Sequence, residues 1–325
     1  MAKKYLKFNT SFFLALVIFH LVFVQVSFAG TIKIAVIKSR DIPSYDTALQ
    51  GFKDLVTEEG VDLAISSYCI KRISEYNTEK EGIIEEIKSL QPDLILTFGS
   101  LATRAAQAIK KKPVIFTMVL APVDSGFVKS MELPGNNFTG VSMDISLQVQ
   151  FKTIKSILPG AKRIGVIYAD ESAEIVTEAK KVAKMMGLSL VTEAIASEKE
   201  IPKALKNIRS KIDLLWSIPD SIVFTPHSTR FILLFTLREK LPFMGISPSF
   251  VKAGALFSLY NESYDMGRQT GEIVLEVLRG RRPFKIPVMS PRKNNLIINS
   301  QVAEIIGIKI PQKIWDKADK ILEEK

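Results

Sequence analysis

Short apolar runs alternate with longer stretches in which apolar positions recur at helical spacing, from residue 32 almost to the end of the chain. In the first half this pattern predicts strands over 32–37, 61–66, 94–98 and 114–118, and helices over 45–59, 78–90 and 100–111. Gly60 closes the first of those helices. A loop rich in Pro, Gly and Asn follows over 122–137, and then the alternation restarts. Helices are predicted over 146–158, 171–186, 201–210, 228–240 and 264–279. Strands are predicted over 163–168, 188–193, 214–217 and 243–246, with an extended segment over 255–260. Strands apolar along their whole length need helices on both faces, so the fold class is α/β, with two doubly wound parallel-sheet lobes and a central cleft. Ligands of such sheets bind at the carboxyl ends of the strands.

The first 29 residues stand outside that alternation. Lys3, Lys4 and Lys7 precede an apolar stretch over 12–26, and Ser27-Phe28-Ala29 puts small residues where a signal peptidase reads them. The stretch is short for a membrane span, and His20 and Gln25 weaken it further. It is therefore read as an export signal, cleaved after Ala29. Gly30, not Cys, follows, so no lipid anchor is expected. Loss of three lysines and no acid lowers the formal charge from +10 to +7. Lysines such as Lys180, Lys181 and Lys184 are scattered over helices, and Lys110-Lys111-Lys112 falls at an expected helix end, so these cations read as solvated and no nucleic-acid partner is expected. Cys69 is the only cysteine, and beyond residue 29 His227 is the only histidine. An internal disulfide and a Cys/His metal site are thereby excluded, and no cofactor is expected. Any Ser-His-Asp relay would have to use His227, which falls in the first turn of an expected helix behind Thr225 as cap and Pro226.

Two strand ends carry candidate ligand chemistry. Leu96-Thr97-Phe98-Gly99-Ser100-Leu101-Ala102-Thr103 is a strand, a Gly turn and a helix opened by hydroxyl residues. Unpaired N–H groups and hydroxyls there suit a carboxylate or phosphate, though Ser and Thr also cap helices that bind nothing. No Gly-Lys-Ser/Thr follows, so it is not a P-loop. In the second half, Trp216-Ser217-Ile218-Pro219-Asp220-Ser221 ends a strand with a carboxylate, which suits an ammonium group, with Trp216 or a neighbouring aromatic as an apolar wall. Asp220 reads equally as a helix cap. Ser100 and Thr103 on one lobe, with Asp220 and Ser221 on the other, describe a receptor for a zwitterion such as an amino acid.

These residues resemble the extracytoplasmic solute-binding proteins of ABC transporters, in the branch with tryptophan- and tyrosine-binding members. The matching segments begin at Phe98-Gly99-Ser100-Leu101-Ala102-Thr103, Pro122-Val123-Asp124-Ser125-Gly126 and Pro134-Gly135-Asn136-Asn137-Phe138-Thr139-Gly140. They continue through Leu158-Pro159-Gly160, Tyr264-Asp265-Met266-Gly267 and Ile306-Gly307-Ile308-Lys309-Ile310-Pro311. The resemblance implies a type I periplasmic-binding fold whose lobes, joined by three crossing segments, close on a small solute. It implies no catalysis, and Thr139–Ser142 as one crossing. On that pattern 30–142 forms the N-terminal lobe, completed by about 260–285, and 143–259 the C-terminal lobe, completed by about 286–325. One departure stands out: Leu120-Ala121-Pro122 replaces the Thr-Asp-Pro common in the family, which removes a polar group from the expected cleft.

The function expected is the solute-binding component of an ABC import system, a monomer serving a membrane permease and ATPase and located in the periplasm or another extracytoplasmic space. The alternatives are a ligand-sensing subunit for a membrane signalling protein and an exported hydrolase, for which Ser100 and His227 are the available pair.

Overall fold

The run Ile34-Ala35-Val36-Ile37 is wholly buried because helices cover both faces of the strand that carries it. The structure is a computed structural model that describes residues 30–70 and 76–323. The export signal and its cleavage site fall on residues 1–29, outside the described residues. Ile34 and Val36 of β1 (Ile32–Lys38) enter a cluster with Ala48 and Phe52 of α1 (Pro43–Glu58) and with Met266 and Ile273 of α9 (Ser263–Leu278). Ala35 and Ile37 point the other way, towards Ile84 and Ile87 of α2 (Tyr76–Leu90) and Ala102 and Ala106 of α3 (Ser100–Ala106). With β2 (Leu63–Cys69), β3 (Leu94–Phe98), β4 (Val114–Val119) and β5 (Phe138–Ser142), β1 forms a sheet in the order β2-β1-β3-β4-β5, parallel throughout.

The second sheet runs β12-β11-β10-β9-β8-β6-β7. Its strands are β6 (Arg163–Tyr168), β7 (Ser189–Ala194), β8 (Leu214–Trp216), β9 (Phe243–Gly245), β10 (Phe257–Tyr260), β11 (Asn295–Asn299) and β12 (Lys320–Leu322). One face packs on α4 (Leu147–Ile157), α5 (Ala173–Met185), α10 (Ser300–Ile306) and α11 (Gln312–Trp315), through Phe151, Ile154, Val176, Val302 and Ile314. The other packs on α6 (Ile201–Arg209), α7 (Pro226–Arg238) and α8 (Pro248–Lys252), through Leu205, Ile232, Leu233 and Val251.

The α/β class and the two helix-covered sheets agree with the sequence pattern, and several details depart from it. The last two strands were not read, and β11 pairs antiparallel with β10, because the chain re-enters the second sheet from the opposite direction. α3 stops at Ala106 rather than near residue 111, as Asn137 Nδ2 captures the carbonyls of Ile109 at 3.0 Å and Lys112 at 2.7 Å in a turn. Lys110–Lys112 therefore lie beyond the helix, not in its last turn. Segment 139–142, expected as a crossing, is the edge strand β5, and the chain crosses just after it. α7 begins at Pro226, with the Thr225 hydroxyl accepting from Ser228 N at 3.1 Å as its cap.

The chain passes between the sheets after β5, between β10 and α9, and before β11. Hydrogen bonds lace these passages. Asn261 Nδ2 donates to Met143 O at 2.9 Å, Asn295 Nδ2 to Glu262 Oε1 at 3.2 Å, and Gln269 Nε2 to Ser290 O at 3.1 Å. At the root of the second passage α9 lies backbone to backbone against α1, which only glycine allows. A Cβ on Gly267 would stand 1.9 Å from Ala48 O, and one on Gly51 would stand 2.1 Å from Tyr264 O.

Candidate functional site

At the carboxyl edge of the first sheet the chain turns from β3 into α3 through Gly99, whose φ of +82° favours glycine. A Cβ there would also stand 2.2 Å from the Tyr45 hydroxyl. Gly99 is the N-cap of α3 and offers no side chain, so the helix borrows a cap from β1: Ser39 Oγ accepts from Ala102 N at 2.9 Å. Thr103 N is bonded to Gly99 O at 3.2 Å. The N–H groups of Ser100 and Leu101 are left without a protein acceptor among the described residues. Ser100 is half-buried, so its hydroxyl and these two donors form an opening that suits an anion. Tyr45 flanks it, with its ring 5.9 Å from that of Phe98 and its hydroxyl bonded to Ser39. Burial pushes the Tyr45 phenol up, and the Ser39 bond and the Arg40 charge offset part of that rise, so the group stays a neutral donor at physiological pH.

Thr103 stands one turn further in and is wholly buried. Its hydroxyl donates to Gly99 O at 2.9 Å and lies 2.9 Å from Thr97 Oγ1, so in this conformation it braces the turn from behind.

At the carboxyl edge of the second sheet Asp220 is 6% exposed. One oxygen accepts from Ala169 N at 2.7 Å, and the other from Ile222 N at 3.0 Å and Val223 N at 2.9 Å. The carboxylate thus ties the end of β6 to the turn after β8. It does not cap α7, whose cap is Thr225. Of roughly four acceptor positions on a carboxylate three are occupied, which leaves capacity for one further donor. Ser221 is exposed, and its hydroxyl donates to Glu171 Oε1 at 2.8 Å.

Trp216 corrects the reading of it as a cleft wall. It is 1% exposed, edge-on to Phe151 at 5.2 Å between ring centres, and its Nε1–H donates to Gln150 Oε1 at 2.8 Å. The alternation of β8 turns its indole into the core beneath α4. His227 is exposed and makes no hydrogen bond or ion pair among the described residues, so no relay joins it to Ser100 here.

Sequence reasoning passed over Ser39, Tyr45, Asp144 and Asn261. Asp144 lies two residues beyond β5, and its carboxylate accepts from Ala121 N at 2.9 Å and from the Ser142 hydroxyl at 2.6 Å. Burial pushes its carboxyl up, and those two bonds pull it back in part. Ala121 has φ +44°, in the left-handed region that costs a residue with a Cβ about 1–2 kcal/mol. Where the resemblance led one to expect a polar side chain, it is the backbone N–H of residue 121 that makes the polar contact. A polar residue immediately after a strand was the available signal for Ser39, and one two residues beyond a strand for Asp144; nothing local marked Tyr45, which reaches the site from α1.

The ABC transporter substrate binding protein family matches residues 33–322. A tyrosine-binding protein of Clostridioides difficile (strain R20291) is 28% identical over 274 residues, covering 82% of this chain and 78% of that protein. Among solved structures, an ABC domain from Streptococcus pneumonia in complex with L-Trp is 27% identical with a TM-score of 0.70, covering 90% of this chain and 100% of that one. The ligand-free, open structure of a substrate-binding protein with adhesive properties from Clostridium difficile has a TM-score of 0.76 at 24% identity, covering 91% of this chain and 100% of that one.

Proposed function

The chain belongs to the ABC transporter substrate-binding protein family and is a solute-binding component of such a system, and from that premise we propose that its solute is an amino acid, with aromatic ones the first candidates. The observation that carries the reading is chemical: unpartnered N–H groups at Ser100 and Leu101 on one sheet edge, and a buried carboxylate with one free acceptor position at Asp220 on the other. The Ser100 hydroxyl and those N–H groups hold the α-carboxylate, with Thr103 bracing the turn. Asp220 receives the ammonium group, and Ser221 lies beside it. Tyr45 lies against the anion-binding turn and contributes ring surface. Relatives that bind tyrosine and tryptophan support this choice.

Contacts from two lobes to one small ligand favour closure about the three passages. A thermal-shift series with L-Tyr, L-Trp, L-Phe and L-Leu, with tyramine as a control lacking the carboxylate, tests the proposal. One amino acid at about a hundred times its Kd should stabilise the protein by about 2.7 kcal/mol, tyramine should not, and small-angle scattering on the same complex should show compaction. A flat response to every amino acid would remove the proposal.

Family members of this kind are substrate-binding rather than catalytic proteins, work with ABC transporters and are extracytoplasmic. Among the described residues no helix is long and apolar enough to cross a membrane. The finer reading is that residues 1–29 are removed on export and that the monomer delivers its solute to a membrane permease driven by an ATPase. Intact-mass measurement on the extracytoplasmic fraction should give a chain starting at Gly30. A full-length mass confined to the membrane fraction would show that the segment stays on as an anchor.

A further inference from the structure

The strands of the first sheet are all parallel, so their amino ends share one pole, opposite the edge that carries Ser100. Three segments converge at that pole on the side of β4 and β5: the turn after α3, the loop that enters β5, and the return from α9. Asn137 joins the first two through the carbonyls of Ile109 and Lys112. Val288 N donates to Met131 O at 2.7 Å and Thr139 Oγ1 to Ile286 O at 2.8 Å, which fixes the third beside them. The result is one continuous surface.

It gathers exposed apolar and cationic side chains in one place. Leu133 is 65% exposed and Phe284 36%, and Lys285 Nζ lies 5.8 Å from the Phe284 ring centre. Around them stand Lys110, Lys111, Lys112, Lys129, Arg282 and Lys285, none of them in an ion pair among the described residues. Arg281 is paired with Glu276; of the two acids in the loop that enters β5, Glu132 lies beside these cations and Asp124 lies near Asp144. Cations on other faces are mixed: some are paired, as in Lys88–Glu85, Arg163–Asp213 and Lys181–Glu178, and others are not.

We infer that this pole docks on an anionic phospholipid surface. Exposed apolar side chains enter the headgroup region while the lysines and arginines meet the lipid phosphates, and the Ser100 edge of the first sheet faces away from that membrane contact. The inference is independent of the identity of the solute; it uses the extracytoplasmic setting only as its context.

The test is cosedimentation of the exported form with two kinds of vesicle, pure phosphatidylcholine and phosphatidylcholine mixed with phosphatidylglycerol. Partitioning should be about tenfold or more stronger on the anionic vesicles and should fall with added salt. The triple variant Lys110→Glu, Lys111→Glu, Lys112→Glu should lose about tenfold to a hundredfold of that partitioning. The pair Lys129→Glu, Lys285→Glu provides a second route should the triple variant fold poorly. The variant Lys180→Glu, Lys181→Glu, Lys184→Glu on α5 carries the same change in net charge and should bind as the parent does. Equal binding of the parent to both vesicles would overturn the inference, as would equal losses in the pole and α5 variants, which would reduce the effect to net charge.

Discussion

Gly267→Ala should lower stability by about 3 kcal/mol or more, which for a chain of this size lowers the melting temperature by roughly 6–12 °C. The added methyl would sit 1.9 Å from the carbonyl oxygen of Ala48, which is backbone and cannot rotate aside. Relief requires α9 to draw away from α1, and that movement loosens the packing of Met266 and Ile273 on Phe52 and on the strands beneath. Because α9 starts at the second passage between the sheets, the displacement also reaches the hinge. Gly82→Ala is the matched control: it lies in α2 with nothing within 4 Å of the added atom, and should stabilise by about 0.5–1 kcal/mol. Thermal denaturation of both variants decides the matter. A Gly267→Ala protein that melts with the parent would mean that the two helices are not in backbone contact.

Asp220 offers the second large effect, and it separates structure from binding. Asp220→Ala leaves three backbone N–H groups, those of Ala169, Ile222 and Val223, without their acceptor. At about 1–3 kcal/mol for each donor left buried, a loss of about 3 kcal/mol or more is expected. Asp220→Asn keeps one acceptor oxygen and the shape but removes the charge, so it should cost less stability. If the carboxylate also receives the ligand's ammonium group, the Asn variant should still lose about 1.5–3 kcal/mol of binding, roughly tenfold to a hundredfold in Kd. Calorimetric titration of the amino acid identified by thermal shift supplies the measurement. Unchanged affinity in Asp220→Asn would leave Asp220 as a purely structural tie and end the zwitterion reading of the site.

Much of the fold was legible because local and global requirements agree. Ile34-Ala35-Val36-Ile37 and Leu94-Ile95-Leu96 are apolar at consecutive positions, which is tolerable only in strands covered on both sides. The site was legible in its elements and not in its contacts. Gly99-Ser100 announced a strand-to-helix turn, but that Ser39 would cap the helix in place of Ser100 depends on β1 lying beside β3. Thr103 looked like a ligand donor until its hydroxyl was found braced against Thr97 and Gly99 in the interior. Trp216 looked like a cleft wall because it ends its strand, and the sequence does not say that Phe151 and Gln150 of α4 cover that last position.

Residue type, period and order along the chain were enough for the α/β class, the succession of most strands and helices, the absence of an internal disulfide, and the family resemblance. Tertiary structure alone decided which polar groups were already spent. The capture of Ile109 and Lys112 by Asn137 spans 28 and 25 residues, that of Ala121 by Asp144 spans 23, and that of Ala169 by Asp220 spans 51. Bonds over such separations depend on which strands lie side by side, and strand order is a property of the packed sheet that no local pattern encodes.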